Sequence, residues 1–395
     1  MKEILGPLLN LPSLEVIEVS LPPNEVHIHC CSTQTAGICP HCLRPTQEIT
    51  KYYTRKLRDL PIFDRKTYLH IKVRQFHCRD CPRSFSERLP FADSHRTYTK
   101  RMEKFIFKCS ANIPFKEVAA IVDVSPHKVE EVFTRYSDQA LDTKGTFEEV
   151  RYLGIDEIAI KKGKKDYACV LVDIERGLVL DFLEDRSKDF LMKYFQNKGK
   201  AFCQQIEILS CDMWEGFASL AKEVFPNAIT VIDRFHVVRH LGKALEKERK
   251  SLRRTYPQQD QFKRLHWILR KQPDSLEQHE IEIRDKAFAQ APDLKRLYEL
   301  KLEFKQIFDK TDSKQEAELK MEQWNKQAKE LNNPHMNRFL KLWEKWKERA
   351  LNYFPLKITN GVVEGMNKWI RTLIRKAYGY RNFNNLRRRI LMAKG

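Results

Sequence analysis

Four cysteines constrain this chain more than any other set of residues. They come as two pairs, Cys39-Pro-His-Cys42 and Cys78-Arg-Asp-Cys81. A two-residue gap lets both thiolates of a pair turn onto one cation at about 2.3 Å, and two such knuckles complete a tetrahedron. Thiolates are soft ligands, which favours Zn2+ over Mg2+ there. The 35 residues between the pairs exceed the usual ribbon spacing, so the intervening chain has to fold back on itself. Tyr68–Phe76 alternates like a strand that could do this. A redox pair, or four separately buried thiols, are the alternatives, and Cys30, Cys31, His41 and His77 are possible substitute ligands. Cys109, Cys169, Cys203 and Cys211 read as core residues. One structural zinc ion and a small module over residues 1–90 are therefore expected.

Charge locates what the cysteines do not. The 395 residues carry 72 Lys+Arg against 53 Asp+Glu, a formal net charge of +19, and 42% are hydrophobic. That mixture is too apolar for a disordered chain and its length suits several domains. No window approaches the ~18 apolar residues of a membrane span. The N-terminus, broken by Pro7, Pro12 and acidic residues, makes a poor signal peptide. A soluble cytoplasmic protein with a polyanionic partner, nucleic acid first, is expected. The excess is uneven: residues 51–82 hold 9 basic and 3 acidic groups, 234–363 hold 29 and 19, and 365–395 hold 9 and none. Residues 150–233, by contrast, hold 12 basic and 14 acidic groups. A carboxylate site flanked by DNA-holding surfaces would have this distribution, although Lys-rich solvated helices would also account for 234–363. Within 51–75, Tyr52, Tyr53, Phe63 and Tyr68 interleave with the cations, a composition suited to phosphate contacts or to a solvated ribbon face.

After Pro90, Tyr98–Cys109 has helical periodicity, followed by Pro114–Ile121 with proline in a first turn. A short turn at Val122-Asp-Val124 leads to Ser125-Pro-His-Lys and a third helical run to Phe133, with Ser125 as cap. Two short helices about a tight turn fit a helix-turn-helix within 91–145, with Ser125, His127 and Lys128 as the residues facing DNA. Small three-helix packings without DNA share the pattern.

From Tyr152 the pattern turns to strands: Tyr152–Ile160, a Lys/Gly turn at 161–165, Tyr167–Asp173, and Leu178–Leu183 after Glu175-Arg-Gly177. A helix at Lys188–Asn197, a strand at Ile206–Ser210, a helix at Glu215–Val224 and a strand at Ala228–Ile232 give the order βββαβαβ. Asp156 lies inside an apolar strand, where an ionised side chain costs several kcal/mol unless compensated. Asp212 stands just past an apolar strand. If the two strands are neighbours, both carboxylates converge and could share a divalent cation, Mg2+ or Mn2+. A strand-end Asp that merely caps the next helix is the simpler account of Asp212 alone.

Residues 237–355 are nearly free of Gly and rich in Leu, Lys, Glu and Gln, with helical periodicity at Leu294–Phe308 and Phe339–Ala350. Pro257, Pro273, Pro292 and Pro334 mark turns. A helical insertion follows. His236 and His240 are spaced like a zinc pair but lack a partner Glu between them. Beyond the insertion, Thr359-Asn-Gly-Val-Val-Glu364-Gly-Met-Asn-Lys-Trp-Ile-Arg371 places Glu364 in an early helical turn, and no acid follows it. A lone carboxylate among basic residues suits a third metal ligand.

The order of CxxC pairs, helix-turn-helix, GIDE strand, CDMW, IDRFHV and NGVVEGMNKWIR resembles the ISL3 family of bacterial insertion-sequence transposases, over nearly the whole chain. The resemblance implies a multidomain α/β protein: a zinc-binding module with a basic arm (1–90), a helix-turn-helix (91–145), and an RNase H-like mixed-sheet core (150–236). An α-helical insertion (237–355) and a C-terminal catalytic helix with a basic tail (356–395) complete it. By position, Asp156, Asp212 and Glu364 become a DDE triad holding two Mg2+ (or Mn2+) ions, with Asp233 and His236 in support and Asp233 the competitor for either Asp role. The expected activity is metal-dependent DNA cleavage and strand transfer at the element's terminal inverted repeats, by a homodimer, on the bacterial nucleoid. Phosphates of double-stranded DNA, element end and target, would be gripped by Lys368, Arg371, Arg375, Lys376, Arg381, Arg387, Arg388 and Arg389. The rival readings are an inactive transposase-derived DNA-binding regulator and a nuclease that cuts without joining.

Overall fold

The computed structural model describes residues 2–11, 13–142, 147–160, 167–354, 357–358, 361–376, 380 and 382–394. They form two compact units, Met1–Lys144 and Gly145–Gly395.

The first unit opens with helix α1 (Lys2–Leu9), strands β1 (Leu14–Ser20) and β2 (Glu25–Ser32), and the short strands β3 (Gly37–Ile38) and β4 (Pro45–Thr46). The long strands β5 (Ile49–Ile62) and β6 (Arg65–Cys78) follow, then β7 (Arg83–Ser86). The sheet order is β1-β2-β6-β5, with β7 on β6. Alternation along β6 puts Leu69, Ile71 and Val73 on the face that buries Val26, Ile28, Cys30 and Leu57. Because β5 and β6 form one antiparallel hairpin with Ile49 opposite Phe76, the end of β6 returns to the chain leaving β4. Thr46 Oγ1 donates to the His77 carbonyl at 2.9 Å and the His77 amide to the Glu48 carbonyl at 2.8 Å, which fixes that return.

Helices α2 (Lys100–Ser110), α3 (Phe115–Val122) and α4 (Pro126–Asp142) complete this unit. They bury Met102, Ile106, Val118, Val122, Val129 and Val132 against one another. Asp123 ends α3 in the left-handed conformation (φ +51°), one of the few residue types that tolerate it. Two residues later Ser125 Oγ accepts from the Lys128 amide at 3.2 Å and starts α4.

The second unit has strands β8 (Tyr152–Ala159), β9 (Tyr167–Asp173) and β10 (Leu178–Leu183), helices α5 (Lys188–Lys198) and α6 (Lys200–Gln205), then β11 (Ile208–Cys211), α7 (Glu215–Val224) and β12 (Ile229–Ile232). The sheet order is β10-β9-β8-β11-β12. The first three strands are antiparallel, whereas β11 runs parallel to both β8 and β12. The expected 161–165 turn lies outside the described residues. Where the sequence suggested one helix before β11 there are two: Gly199, at φ +93°, breaks the run. The second, α6, buries Phe202 and Cys203 in the core, and β11 starts two residues later than expected.

Six long helices follow: α8 (Arg234–Thr255), α9 (Gln261–Ile268), α10 (Gln278–Gln290), α11 (Pro292–Lys310), α12 (Lys314–Glu330) and α13 (Pro334–Leu351). Pro292 and Pro334 stand in the first turns of their helices, where the missing N–H costs nothing. Phe304 lies edge-on to Trp324, Phe339 and Trp343 at the centre of this layer, and α13 packs on both α8 and β12. Then α14 (Gly361–Lys376) lies on β8 and β9, and α15 (Phe383–Lys394) on β10. A Cβ at Gly154 of β8 would sit 2.5 Å from Val363 Cγ2. Glycine there lets α14 approach the sheet.

Candidate active site and metal centre

Pairing of β8 with β11 sets Ile155 opposite Cys211, so the next residues, Asp156 and Asp212, emerge side by side. Asp156 is 8% exposed. Burial, then the Asp212 charge beside it, pushes its carboxyl up to about 7. Asn367, buried on α14, donates to Asp156 Oδ2, and the Glu157 amide donates to Oδ1 at 2.7 Å. Glu364 lies one helical turn before Asn367. Thr359 and Asn360, just before this helix, lie outside the described residues.

Asp233 caps α8 by accepting from the Phe235 amide at 2.9 Å, which aims the first turn of α8 at the same cleft. His236 Nε2 lies 2.9 Å from Asp212 Oδ1 and 4.0 Å from Glu364 Oε1. Burial opposes charge on His236, but the Asp212 carboxylate, with Asp233 and Asp156 behind it, outweighs that and raises its pKa. Burial followed by Asp233 raises that of Glu364. Ligand atoms of Asp233, His236 and Glu364 approach within 4.8 Å of one another. Asp156 and Asp212 form the adjoining pair, and His236 bridges the two groups.

The cleft has a volume of about 580 Å³, and Arg239, Lys368 and Arg371 supply its positive wall. Two observations make it fit a divalent cation. The like-charged carboxylates of Asp156 and Asp212 adjoin in a buried place, and their oxygens are hard donors. Asp212 Oδ1 is buried without a well-aligned hydrogen bond, His236 lying out of line, and Asn367 Oδ1 is buried without a donor. Asn367 was missed by sequence reasoning. Its signal was the position three residues after Glu364, on the same helical face. Arg239 stands in the same relation to His236.

In the first unit Cys39, Cys42, Cys78 and Cys81 bring their sulfurs within 4.8 Å of one another. Cys42 Sγ and Cys78 Sγ are 3.6 Å apart. Backbone N–H groups of Cys42 and His41 point at the Cys39 sulfur and draw its thiol down to about 7. Four converging thiols, with the burden of a shared negative charge pushing Cys78 and Cys81 up, suit a structural zinc ion. Cys30 is buried in the sheet core instead, and among the described residues neither Cys31, His41 nor His77 joins the cluster.

The residues expected on DNA divide. Ser125 and His127 are exposed at the start of α4, while Lys128 pairs with Glu131 at 2.9 Å and lies over the Tyr98 ring. Lys368, Arg371, Arg375 and Lys376 are exposed on α14. Arg381 lies outside the described residues. Arg387 and Arg389 depart from expectation because α15 packs on β10. Arg387 forms two bonds, of 2.6 and 3.0 Å, with the buried Asp181. Arg389 is 3% exposed, with Nη1 3.2 Å from Tyr380 Oη. Arg388 is half-buried on the same helix. A short basic cluster reads as surface in a sequence, but here the packed face of a helix runs through it.

An ISL3 transposase family model matches residues 153–390. A model for the zinc-finger of the transposases of IS204, IS1001, IS1096 and IS1165 matches 35–81, and one for the helix-turn-helix domain of ISL3 transposases matches 87–137. The chain is 25% identical over 366 residues to the transposase for insertion sequence element IS1001 of Bordetella parapertussis, covering 91% of this chain and 89% of that one. It is 26% identical over 267 residues to the transposase for insertion sequence element IS1557 of Mycobacterium tuberculosis, covering 60% and 58%. Among the described residues no helix is long and apolar enough to cross a membrane. With a zinc ribbon, a helix-turn-helix and a matching transposase domain in one order, the chain belongs to the ISL3 family of insertion-sequence transposases.

Proposed function

We propose that this chain is a DDE transposase that cleaves DNA at the terminal inverted repeats of its element and transfers the freed strand. Asp156, Asp212 and Glu364 would be its acids, on an RNase H-like core interrupted between Asp212 and Glu364 by helices α8–α13. The observation carrying this reading is the register of β8 against β11, which sets Asp156 beside Asp212, with α14 laid across β8 to bring Glu364 to the same cleft. The sheet order, three antiparallel strands followed by two parallel ones, supports the fold assignment.

Two Mg2+ or Mn2+ ions held by these acids would neutralise the scissile phosphate and acidify a water. The chain's own residues do the rest. Asn367 holds the Asp156 carboxylate in place, and His236 sets the spacing of Asp212 and Glu364. Lys368 and Arg371 take the flanking phosphates. In the first step a water oxygen bonds to phosphorus and the 3′-oxygen leaves as a hydroxyl; in the second that hydroxyl attacks a target phosphodiester, releasing the target's own 3′-oxygen. Positioning and charge account for both steps without a covalent protein–DNA intermediate. The zinc ribbon and helix-turn-helix would read the inverted repeats, and two ends meeting would require a dimer.

The test is incubation of element-end DNA with Mg2+, scoring cleaved and joined strands separately. Cleavage and joining, both abolished by Asp156→Ala, Asp212→Ala or Glu364→Ala with end binding kept, is the expected result. Cleavage surviving Glu364→Ala would overturn the triad; binding without any cleavage would identify a regulator.

A further inference from the structure

A second pocket, of about 560 Å³, lies between α8, α9 and α11, and it shares Phe235 and Arg239 with the cleft that holds the acids. We propose that it receives one nucleobase turned out of the duplex beside the scissile phosphate. The inference rests on the strand-cleavage reading and gives that site a specific feature of its substrate.

The walls are Phe235, Val238, Leu245 and Leu269, an apolar lining suited to the faces of a heterocycle. The rim carries the exposed Arg239, Lys243 and Arg270, whereas the half-buried Lys301 donates to the Leu269 carbonyl at 2.8 Å. The only carboxylate in the lining, Glu246, is already engaged by Arg249 at 2.7 and 2.8 Å and by His266 at 3.1 Å, so the rim keeps its positive excess. A purely apolar ligand would not call for three exposed cations, and a bare polyanion would not call for the apolar walls. A base with a charged backbone on either side uses both. Phe235 is 54% exposed at the wall shared with the acids, and Trp267, 66% exposed and outside the lining itself, lies beneath the guanidinium of the lining residue Arg270. Aromatic faces of this kind stack bases without regard to sequence.

Gly242 gives an independent reason. It stands inside the 22-residue helix α8, where glycine is disfavoured relative to alanine. Nothing lies within 4 Å of a Cβ built there, and no left-handed backbone requires glycine. Neither close packing nor conformation explains the residue. Its missing side chain does keep the pocket floor open.

The experiment uses the full-length protein and element-end duplexes carrying 2-aminopurine singly at each position flanking the cut. Fluorescence is read without Mg2+, and cleavage in parallel with Mg2+. The expected result is a several-fold fluorescence rise at one position, weakened in Gly242→Ala and lost in Gly242→Phe. Gly242→Phe should cleave intact ends about tenfold or more slowly, and recover when that nucleotide is abasic. Circular dichroism and zinc content matching the wild type show that the variant folds. Cleavage by the wild type with no rise at any position overturns the proposal, as does a Gly242→Phe protein that cleaves intact ends at the wild-type rate or is not rescued by the abasic end. A Gly242-dependent rise with no cleavage overturns the strand-cleavage reading and leaves the base pocket standing.

Discussion

Asp156 is held where a carboxylate is least comfortable, in the central strand and against a second acid. Its folded value of about 7 lies above the 3.8 of an unperturbed carboxyl. Between those two pH values the folded protein keeps a proton that the unfolded chain has lost, so stability falls as pH rises through that window. In the presence of a chelator, Asp156→Asn should therefore raise the melting temperature more at pH 8 than at pH 5, by the equivalent of a few kcal/mol. Calorimetry at both pH values checks this, and an equal gain at both would contradict it. Asn367→Ala removes the side-chain donor that holds Asp156. Loss of such a supporting contact costs about 10- to 100-fold in metal affinity or activity. It should move the Mg2+ dependence of cleavage to higher concentration while end binding stays unchanged. Asp156 stands out in the sequence because a charge inside an apolar strand is conspicuous. Asn367 carries only the weaker signal of its spacing from Glu364, and its role emerges once Asp156 is seen to lie against it.

Helix α14 does two things along one face. Glu364, Lys368, Arg371 and Arg375 recur at helical spacing, so one stripe leads from the cleft outward. Replacing Lys368, Arg371 and Arg375 by Ala should weaken DNA binding across sequences and lower the slope of log affinity against log salt by about three, since each phosphate contact contributes about 0.9. An unchanged slope in a salt titration would remove the stripe from the interface. The adjoining buried face, with Val363, Asn367 and Ile370, meets β8 at Gly154, where an added methyl would collide with Val363. Overpacking of this kind costs about 1–3 kcal/mol. Gly154→Ala should lower the melting temperature and cut cleavage far more than DNA binding, because it moves Glu364 away from the aspartates. Arg387, in α15, shows where reading by composition fails. Its charge belongs to Asp181, and which face of α15 is covered depends on β10, distant in sequence.

At the scale of the whole molecule, the candidate metal ligands divide between the units: soft thiolates in the first, hard carboxylates in the second. Removing zinc with a strong chelator at neutral pH should release one ion per chain, because among the described residues Cys39, Cys42, Cys78 and Cys81 form one four-thiol cluster. Binding to element ends should fall with it. The helices of the second unit should retain their circular dichroism, because their aromatic core contains none of those cysteines. Retained end binding after complete release would contradict the role given to the ribbon. The sequence by itself determined most of the elements, though not the break at Gly199, and named the candidate ligands. Cysteine spacing, alternation in β6 and β8, helical periodicity from α8 to α13 and two conspicuous aspartates are local patterns, set by bond geometry and by the cost of burying charge. Tertiary structure alone decided that β11 lies parallel beside β8, that α14 closes on Gly154, that His236 stands between two groups of acids, and that Arg387 and Arg389 turn inward. Those facts depend on which surfaces pack together across tens to hundreds of residues, and packing partners are not written into any local stretch of chain.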